Sequence, residues 1–303
     1  MVNKPSGVTS HDLVQRLRQI LRTRRIGHTG TLDPQASGVL LACVGKATKV
    51  AQFLTPHDKE YEAEIKLGVT TDTYDSHGKV KEIRDELNIS ADQIRKAVDS
   101  FKGRIWQVPP LHSAIQYKGK RLYQYARAGK EVRIKRREVE IKHIQVVEIE
   151  IPYVKLRIGC SKGTYIRSLA HDLGQKLGCG ACLFSLRRTR VGPFKLQEAA
   201  DLEEVSDVEN ESKLRNLLIP IERALDHLPS VVVKAGFGDK VRQGAPLVSS
   251  SLMSVEADFE ESQSVSIKDH RKSILAIGKA LRSSNGFLDQ NPENKLFEYI
   301  RVI

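Results

Sequence analysis

The amino-acid sequence predicts an α+β protein that ends in a small all-β barrel. Strict alternation of apolar and charged residues from Lys59 to Leu67 predicts a half-buried strand. Val139 to Ile151 and Val154 to Cys160 predict two further strands. The last quarter of the chain contains only short strand candidates separated by Gly-Pro turns and polar loops, a pattern typical of a small barrel.

Two capping sequences predict helices in the first part of the chain. Thr9 and Asp12 resemble a capping box ahead of a helix with an apolar face, and Ser90 and Gln93 form a second such pair. A third helix is predicted after the Thr164 region and ends at Gly178.

The remaining predicted strands are shorter. Val39 to Val44 is expected to form one buried strand, and Leu183 to Arg190 another. The C-terminal candidates are Ser230–Val233, Leu252–Val255, Val265–Ile267, Ile274–Ile277 and Phe297–Val302.

Length and charge indicate two domains and a polyanionic partner. The chain has 303 residues and a net charge of +12. Residues 228–303 contain 10 Lys or Arg and 9 Asp or Glu, so +11 remains on residues 1–227. The first residues lack an apolar signal core and the longest strongly apolar run is too short to cross a bilayer, so we expect a cytoplasmic protein.

One segment combines cations with aromatic side chains. Residues 116–137 contain nine Lys or Arg, one acid and three tyrosines, and they follow Pro109-Pro110. This composition suits a surface that neutralises phosphates and stacks on bases, and it equally suits a solvated charged helix and loop. The cations considered for RNA binding are Lys118, Lys120, Arg121, Arg127 and Lys130.

The four cysteines do not indicate a metal site. Cys179 and Cys182 form a Cys-x-x-Cys pair, but no second pair stands at zinc-finger spacing. Cys43 and Cys160 border apolar runs and are expected to be core thiols.

A glycine-bounded loop from Gly27 to Gly38 contains a single carboxylate, Asp33, directly before Pro34. Taken alone, an Asp-Pro in a loop is most often a capping residue in a surface turn.

Together with other motifs, this loop resembles the bacterial tRNA pseudouridine synthases of the TruB type. The matching blocks in chain order are Lys4–Ser10, Gly27–Gly38, Lys59–Tyr61, Val108–Arg127, Cys160–Arg167, Leu177–Ala181 and Leu186–Arg188. They span nearly all of the first 195 residues. Family members usually have a short apolar strand ahead of the first block, often with Asp before the Lys, whereas only Met1-Val2-Asn3 precede it here.

The resemblance implies a fold and a domain division. The expected fold is a mixed, largely antiparallel sheet with flanking helices, in a catalytic domain covering residues 1–227 with a basic insertion at about 108–137. Residues 228–303 are expected to form a PUA-like RNA-binding domain.

The implied activity is isomerisation of uridine 55 in the T loop of tRNA to pseudouridine, without metal or organic cofactor. Asp33 is the expected essential carboxylate, acting covalently at the ribose or the uracil or as the base that starts a glycal route. No second carboxylate, which a glycoside hydrolase would use to activate water, stands in the matched motifs. The expected partner is the T arm of tRNA, with no obligatory protein partner, no membrane and a monomeric state.

The resemblance also assigns the other site residues. Arg167 would pair with Asp33, Tyr61 would stack on the target uracil, and Tyr165 and Leu186 would border the pocket. His28 would fill the stack that the flipped base leaves. Tyr165 and Arg167 are roughly 200° apart around an ideal helix, so both can face the same pocket only if this stretch is still partly extended. We therefore expect the third helix to begin after Arg167.

Two alternatives remain at this point. A guide-RNA-dependent pseudouridine synthase shares the Asp loop but works within a protein and RNA complex, and the long 109–137 segment favours the stand-alone type. A non-catalytic RNA-binding or tRNA-folding protein would use the same basic surface but would not need Asp33, Tyr61 and Arg167.

Overall fold

The computed structural model describes residues 1–206, 215–286 and 294–303. The chain divides into two compact units. The first comprises Met1–Arg16, Gly30–Leu41 and Thr55–Ser206, and the second comprises Leu17–Thr29, Ala42–Leu54 and Asp207–Ile303.

The described strands, in chain order, are β1 Val2–Lys4, β2 Ile26–His28, β3 Ser37–Leu40, β4 Ala42–Val44, β5 Lys59–Leu67, β6 Val69–Thr71, β7 Val80–Ile83, β8 Gly103–Gln107, β9 Gln116–Tyr117, β10 Lys120–Arg121, β11 Arg137–Glu150, β12 Tyr153–Cys160, β13 Ala181–Val191, β14 Phe194–Lys195, β15 Ser230–Val233, β16 Leu252–Val255, β17 Ser264–Lys268, β18 Ile274–Ala280 and β19 Phe297–Val302. The described α-helices are α1 Ser10–Ile20, α2 Ala51–Leu54, α3 Ala91–Asp99, α4 Leu122–Arg127, α5 Ile166–Leu177, α6 Leu202–Ser206, α7 Ile221–Ala224 and α8 Gly238–Arg242. Short 3₁₀ helices lie at Gly45–Val50, Leu196–Glu198, Ser249–Ser251 and Ser284–Gly286.

The first unit is built on one eight-stranded sheet. Its strand order is β1-β3-β13-β5-β12-β11-β8, and β14 pairs with β13. The pairings are antiparallel except that β13 runs parallel to β3. The mixed, largely antiparallel sheet that was predicted is therefore confirmed.

Helices α3 and α5 supply apolar faces to the core of this unit. Ile94 and Val98 of α3 and Leu169 and Leu173 of α5 are buried in one cluster with the inward side chains of β5 and β12. Gly174 allows α5 to approach β13 closely, because a Cβ there would lie 2.1 Å from the backbone nitrogen of Ala181. The sheet and the C-terminal half of α5 are thus fixed relative to each other.

Several elements match the sequence-based predictions. The strand Lys59–Leu67 has the predicted bounds, with Tyr61, Ala63, Ile65 and Leu67 buried. The capping box at Ser90 is present, and Thr9 and Asp12 exchange hydrogen bonds at the start of α1. Gly178 ends α5 in the left-handed conformation, with φ of 74°.

Two boundary predictions were wrong. Val39 to Val44 is not one strand, because β3 pairs with β1 and β13 whereas β4 pairs with β2. An uninterrupted apolar run does not reveal a change of pairing partner, so the pattern could not separate the two strands. Helix α5 begins at Ile166 rather than after Arg167, and Tyr165 is its extended N-cap residue.

The second unit contains a five-stranded sheet with the order β16-β15-β17-β18-β19. All five predicted C-terminal strands are present, and Val231, Val265, Leu275 and Phe297 are buried in its core. The described residues show no pairing between β16 and β19, so the predicted closed barrel is not confirmed.

The helices of the described part of the chain include none with both the length and the apolar character needed to cross a membrane.

Replacing Gly174 by Ala should destabilise the protein by about 1 to 3 kcal/mol, because the added methyl group meets the backbone of Ala181. Urea denaturation measures this free energy of unfolding. The matched control is Gly238→Ala, where the added Cβ would have ordinary contacts of 3.8 Å or more, and it should change stability little. Equal stabilities for the two variants would contradict the close packing of α5 on β13.

Candidate active site

The loop that carries Asp33 is held in place through its backbone. The side chain of Ser10 both donates to the carbonyl of Leu32 (3.0 Å) and accepts from its N–H (2.9 Å). The buried ammonium of Lys4 donates to the carbonyl of Pro34 at 3.1 Å and to two further carbonyls of its own segment. Burial lowers the pKa of Lys4 to about 8. The loop backbone on both sides of Asp33 is therefore fixed.

Arg167 forms a two-point ion pair with Asp33. Its Nε lies 2.8 Å from one carboxylate oxygen of Asp33, and its Nη2 donates to the other at 3.0 Å. Arg167 is only 5% exposed, whereas the Asp33 side chain is 41% exposed. The guanidinium also donates to the carbonyls of Thr73 (3.2 Å) and His112 (2.9 Å). The buried guanidinium thus holds the Asp33 carboxylate in one orientation, and the carboxylate remains accessible to solvent.

A second carboxylate, Asp75, lies on the other side of the same guanidinium. One of its oxygens is 3.6 Å from Nη1 of Arg167. The other accepts from the hydroxyl of Thr73 at 2.7 Å and from the N–H of His77 at 3.1 Å. Arg167 therefore lies between two acids, of which Asp75 is tied into its own loop.

Tyr61 lies on the buried face of β5, as its alternation predicted. Burial raises the pKa of its phenol, while the positive charge of the neighbouring Arg188 acts in the opposite direction. The negative charge of Asp33 also acts on the phenol. Tyr61 is therefore within electrostatic reach of the carboxylate.

Tyr165 is held by its backbone next to Arg167. The side-chain amide of Gln107 accepts from the N–H of Tyr165 at 3.0 Å and donates to its carbonyl at 3.3 Å. Burial raises the pKa of its phenol, the neighbouring Ser113 side chain acts in the opposite direction, and the charge of Asp33 raises the pKa further. Tyr165 is therefore within electrostatic reach of the carboxylate that Arg167 binds, although it is not among the residues that line the pocket described at Asp33.

A small pocket opens at Asp33. It is lined by Asp33, Asp75, His77, Arg167 and Leu186, among others. Leu186 packs against the core of the first unit and supplies an apolar wall. Of the residues selected from the sequence, the structure therefore places Asp33, Arg167 and Leu186 in one pocket.

His28 is placed differently from these residues. It is the last residue of β2 in the second unit and is half-buried. Its strand pairs with β4, where His28 lies opposite Ala42.

The basic segment contains a β9–β10 hairpin followed by α4. Its five selected cations, Lys118, Lys120, Arg121, Arg127 and Lys130, are all exposed. The ring of Tyr117 packs edge-on against that of Tyr125 at 5.8 Å between centroids. The charged ends of Lys118 and Arg127 lie over the rings of Tyr117 and Tyr123, respectively. The segment thus presents cations around a small aromatic cluster.

All four cysteines are buried free thiols. Burial raises the pKa of Cys43, Cys160 and Cys182 to about 11 and raises that of Cys179 as well. The described residues contain no cluster of His, Cys, Asp and Glu that could hold a metal ion.

Sequence reasoning missed Asp75 and His77 in the pocket and Lys4 and Ser10 beneath the loop. The stretch Gly68 to Gly78 resembles the Asp33 loop in placing acids, Asp72 and Asp75, between glycines. That likeness is the only local signal for Asp75, and it does not distinguish a site residue from an acid in an ordinary turn.

An aromatic stack ties the Asp75 loop to α5. The rings of Tyr74 and His171 lie parallel with centroids 4.0 Å apart, and burial lowers the pKa of His171. Burial also raises the pKa of the neighbouring Asp172 to about 6. The stack is one turn along α5 from Arg167, so it holds the loop against the helix that supplies the guanidinium.

Two family models match most of the chain. The model described as "TruB family pseudouridylate synthase (N terminal domain)" matches residues 18–166. The model described as "tRNA pseudouridylate synthase B C-terminal domain" matches residues 167–226.

Curated relatives are similar over most of their length. The tRNA pseudouridine synthase B of Clostridium tetani is 42% identical over 83% of this chain and 86% of its own. The protein of the same name from Pelotomaculum thermopropionicum is 40% identical over 93% of this chain and 90% of its own.

Solved structures are similar over the whole chain. A chain of an H/ACA RNP bound to a substrate RNA containing 2′-deoxyuridine has a TM-score of 0.78 and 31% identity, covering 99% of this chain and 83% of that one. A chain of a Cbf5-Nop10-Gar1 complex has a TM-score of 0.78 and 33% identity, with the same coverage.

Asp172→Asn should stabilise the protein at pH 7 by about 1 to 2 kcal/mol, allowing for partial exposure. The folded-state pKa of Asp172 is raised from 3.8 to about 6, so the folded state binds the proton more tightly and stability is lost as pH rises through this range. The gain in stability should therefore vanish near pH 4. Urea denaturation at pH 4 and pH 7 measures the free energy of unfolding, and Asp85→Asn, at an exposed acid, is the control. A stability gain for Asp172→Asn that is the same at both pH values would contradict the effect of burial on its pKa.

Proposed function

Because the chain belongs to the TruB family of pseudouridylate synthases, we propose that it converts the uridine at position 55, in the T loop of tRNA, to pseudouridine. The proposal includes a cytoplasmic location, since the substrate is tRNA. The observation that carries it is the ion pair between the accessible carboxylate of Asp33 and the buried guanidinium of Arg167.

The reaction rearranges one nucleotide without an outside group. The bond between ribose C1′ and uracil N1 breaks, the uracil turns within the pocket, and C1′ is joined to uracil C5. C5 loses its proton and N1 gains one, so the composition of the nucleotide is unchanged. One carboxylate must therefore act on the ribose or the base while the detached uracil is retained. The bound RNA must keep water from the pocket, because water would otherwise compete for C1′.

We assign Asp33 as the catalytic carboxylate. Its fixed loop and its two contacts with Arg167 support this role, since a carboxylate held in one orientation loses little entropy on meeting the substrate. Arg167 stabilises the negative charge of Asp33 before the reaction. Asp75 holds Arg167 from the other side and supports its orientation.

The remaining residues selected from the sequence receive roles that concern the uracil. Tyr61 would stack on the base and Tyr165 would border the pocket, and both lie within electrostatic reach of Asp33. Leu186, which lines the pocket, would provide an apolar wall. A uridine inside a folded loop must leave its stack, at a cost of a few kcal/mol. His28 is assigned to fill the position that the base vacates.

The basic segment is assigned to hold the T arm. Two observations support contact with phosphates and bases: the segment exposes five cations, and cationic side chains lie over two of its tyrosine rings. The five cations are Lys118, Lys120, Arg121, Arg127 and Lys130. We further propose that residues 1–227 act as the catalytic domain and that residues 228–303 act as a PUA-like RNA-binding domain. On this proposal the enzyme works as a monomer without an obligatory protein partner.

A second candidate is guide-RNA-dependent pseudouridine formation. It is favoured by the similarity to chains from an H/ACA RNP and a Cbf5-Nop10-Gar1 complex. The bacterial relatives named tRNA pseudouridine synthase B are more identical to this chain, at 40 to 42%, and favour stand-alone action. Incubating the pure protein with an unmodified tRNA transcript distinguishes the two, because only a stand-alone enzyme converts uridine 55 without a guide.

Asp33→Asn should reduce pseudouridine formation by at least about a thousandfold, because the amide retains the shape of the carboxylate but lacks its charge. Pseudouridine mapping on a T-arm stem-loop measures this loss. Asp85→Asn, an exposed acid outside the pocket, should retain the wild-type rate. Substantial pseudouridine formation by the Asp33 variant would overturn the assignment.

Replacing Lys118, Lys120 and Arg127 together by Gln should weaken tRNA binding and reduce its salt dependence. If each contacts one phosphate, the slope of log K against log salt should fall by about two to three units. Filter binding across a salt series measures the slope. The matched control replaces three exposed cations of the α3 region, Arg95, Lys96 and Lys102. An unchanged slope in the first variant would show that RNA binds another surface.

A further inference from the structure

Arg188 is a fully buried cation that the roles assigned above do not use. It lies on β13 and is only 1% exposed. Within the described part of the chain, Arg188 forms no ion pair with an acid. Its side-chain N–H groups donate hydrogen bonds to backbone carbonyl oxygens instead. A buried charge is costly unless it is fully hydrogen-bonded, so its surroundings indicate what it does.

The partners of Arg188 belong to two segments of the candidate site. Its Nε donates to the carbonyl of Val39 at 2.7 Å, and its Nη2 donates to the carbonyl of Gly30 at 3.1 Å. Gly30 precedes Asp33 by three residues and Val39 follows it by six. Arg188 also lies opposite Tyr61 across the β13–β5 pairing, and its charge lowers the pKa of the Tyr61 phenol. One side chain thus holds backbone on both sides of Asp33 while lying beside Tyr61.

The backbone reinforces this position. Arg188 lies opposite Tyr61 on β5 and beside Gly38 on β3. At Gly38, where φ is 104°, an added Cβ would lie 2.2 Å from the carbonyl oxygen of Arg188. Glycine is therefore required for β3 to approach Arg188 this closely, and this approach brings Val39 within reach of the guanidinium.

We infer that Arg188 is a positioning residue that couples the Asp33 loop to Tyr61. It sets the distance between the carboxylate and the aromatic ring that would hold the uracil. The inference rests on the proposed function, since it concerns the same pocket. Arg188 acts through its two hydrogen-bonded carbonyls and its neighbour Tyr61, and it does not line the pocket itself.

The planar guanidinium is essential to this role. Its N–H groups point in fixed directions, so it can serve separate acceptors at once, whereas a Lys ammonium is a compact charge on a flexible stem. Arg188→Lys therefore keeps the charge but cannot span the same two carbonyls. The adjacent Arg187 is exposed, so Arg187→Lys is a matched control for the same chemical change.

The experiment measures single-turnover rates of pseudouridine formation and affinities for a T-arm stem-loop. The variants are Arg188→Lys, Arg187→Lys, Tyr61→Phe and the double variant Arg188→Lys with Tyr61→Phe. We expect Arg188→Lys to lower the rate about ten- to a hundredfold, the range for losing hydrogen bonds to a charged group, with RNA affinity within about twofold of wild type. The loss caused by Arg188→Lys should be at least about threefold smaller when Tyr61 is Phe, since the hydroxyl beside Arg188 is already absent.

Three results would overturn the inference. They are an unchanged rate for Arg188→Lys, a loss of the same size in both Tyr61 backgrounds, and a loss accounted for by RNA affinity alone. Thermal melting of each variant fixes an assay temperature at which it is folded, and Arg188→Gln is run in the same cycle in case the Lys variant melts too low. Failure of the wild type and of Arg187→Lys to convert uridine would instead refute the proposed function.

Discussion

The structure of the site depends on the burial of one guanidinium, that of Arg167. Removing such a group from water is favourable only if its charge and its N–H groups meet partners. Asp33, Asp75 and the carbonyls of Thr73 and His112 provide them, and they come from three separate loops. Because the buried guanidinium needs all of these partners, the three loops must lie against it. Moving any one of them would leave part of the charge unpaired, which restricts each loop to one arrangement.

The Asp33 loop shows how buried cations can order a backbone. Lys4 and Arg188 are both buried, and both direct N–H groups to carbonyls of this loop or its flanks. These contacts satisfy carbonyl groups that a loop cannot pair within itself. The loop is thereby rigid although it has no regular secondary structure, and the carboxylate at its tip can remain exposed without becoming mobile. Such a preformed arrangement suits a reaction in which a carboxylate must meet one atom of a turning base.

How much of this could be read from the sequence depends on whether each signal was local. The alternation from Lys59 to Leu67 predicted a strand and placed Tyr61 on its buried face, because both follow from residues next to each other. Asp33 and Arg167 were selected through motif resemblance. Asp75 and Arg188 were missed because acids between glycines are common in turns and one Arg among several has no distinguishing local pattern, so neither signal identifies a site residue by itself. Their importance lies in partners 92 and 127 residues away, Arg167 and Tyr61, which only the folded chain brings near. The division of Val39 to Val44 and the open C-terminal sheet likewise depend on pairing partners.

The start of α5 is the point at which local structure determines the geometry of the site. The Gln107 amide occupies both backbone groups of Tyr165, as a neighbouring strand would, and keeps this residue extended. The helix therefore begins at Ile166, and Arg167 enters it within the first turn. Each residue of a helix is rotated by about 100° from the one before, so a helix starting one turn earlier would include Tyr165 and turn its side chain away from that of Arg167. Because Tyr165 remains outside the helix, its phenol stays within electrostatic reach of the carboxylate that Arg167 binds, although the spacing of the two residues on an ideal helix would separate them.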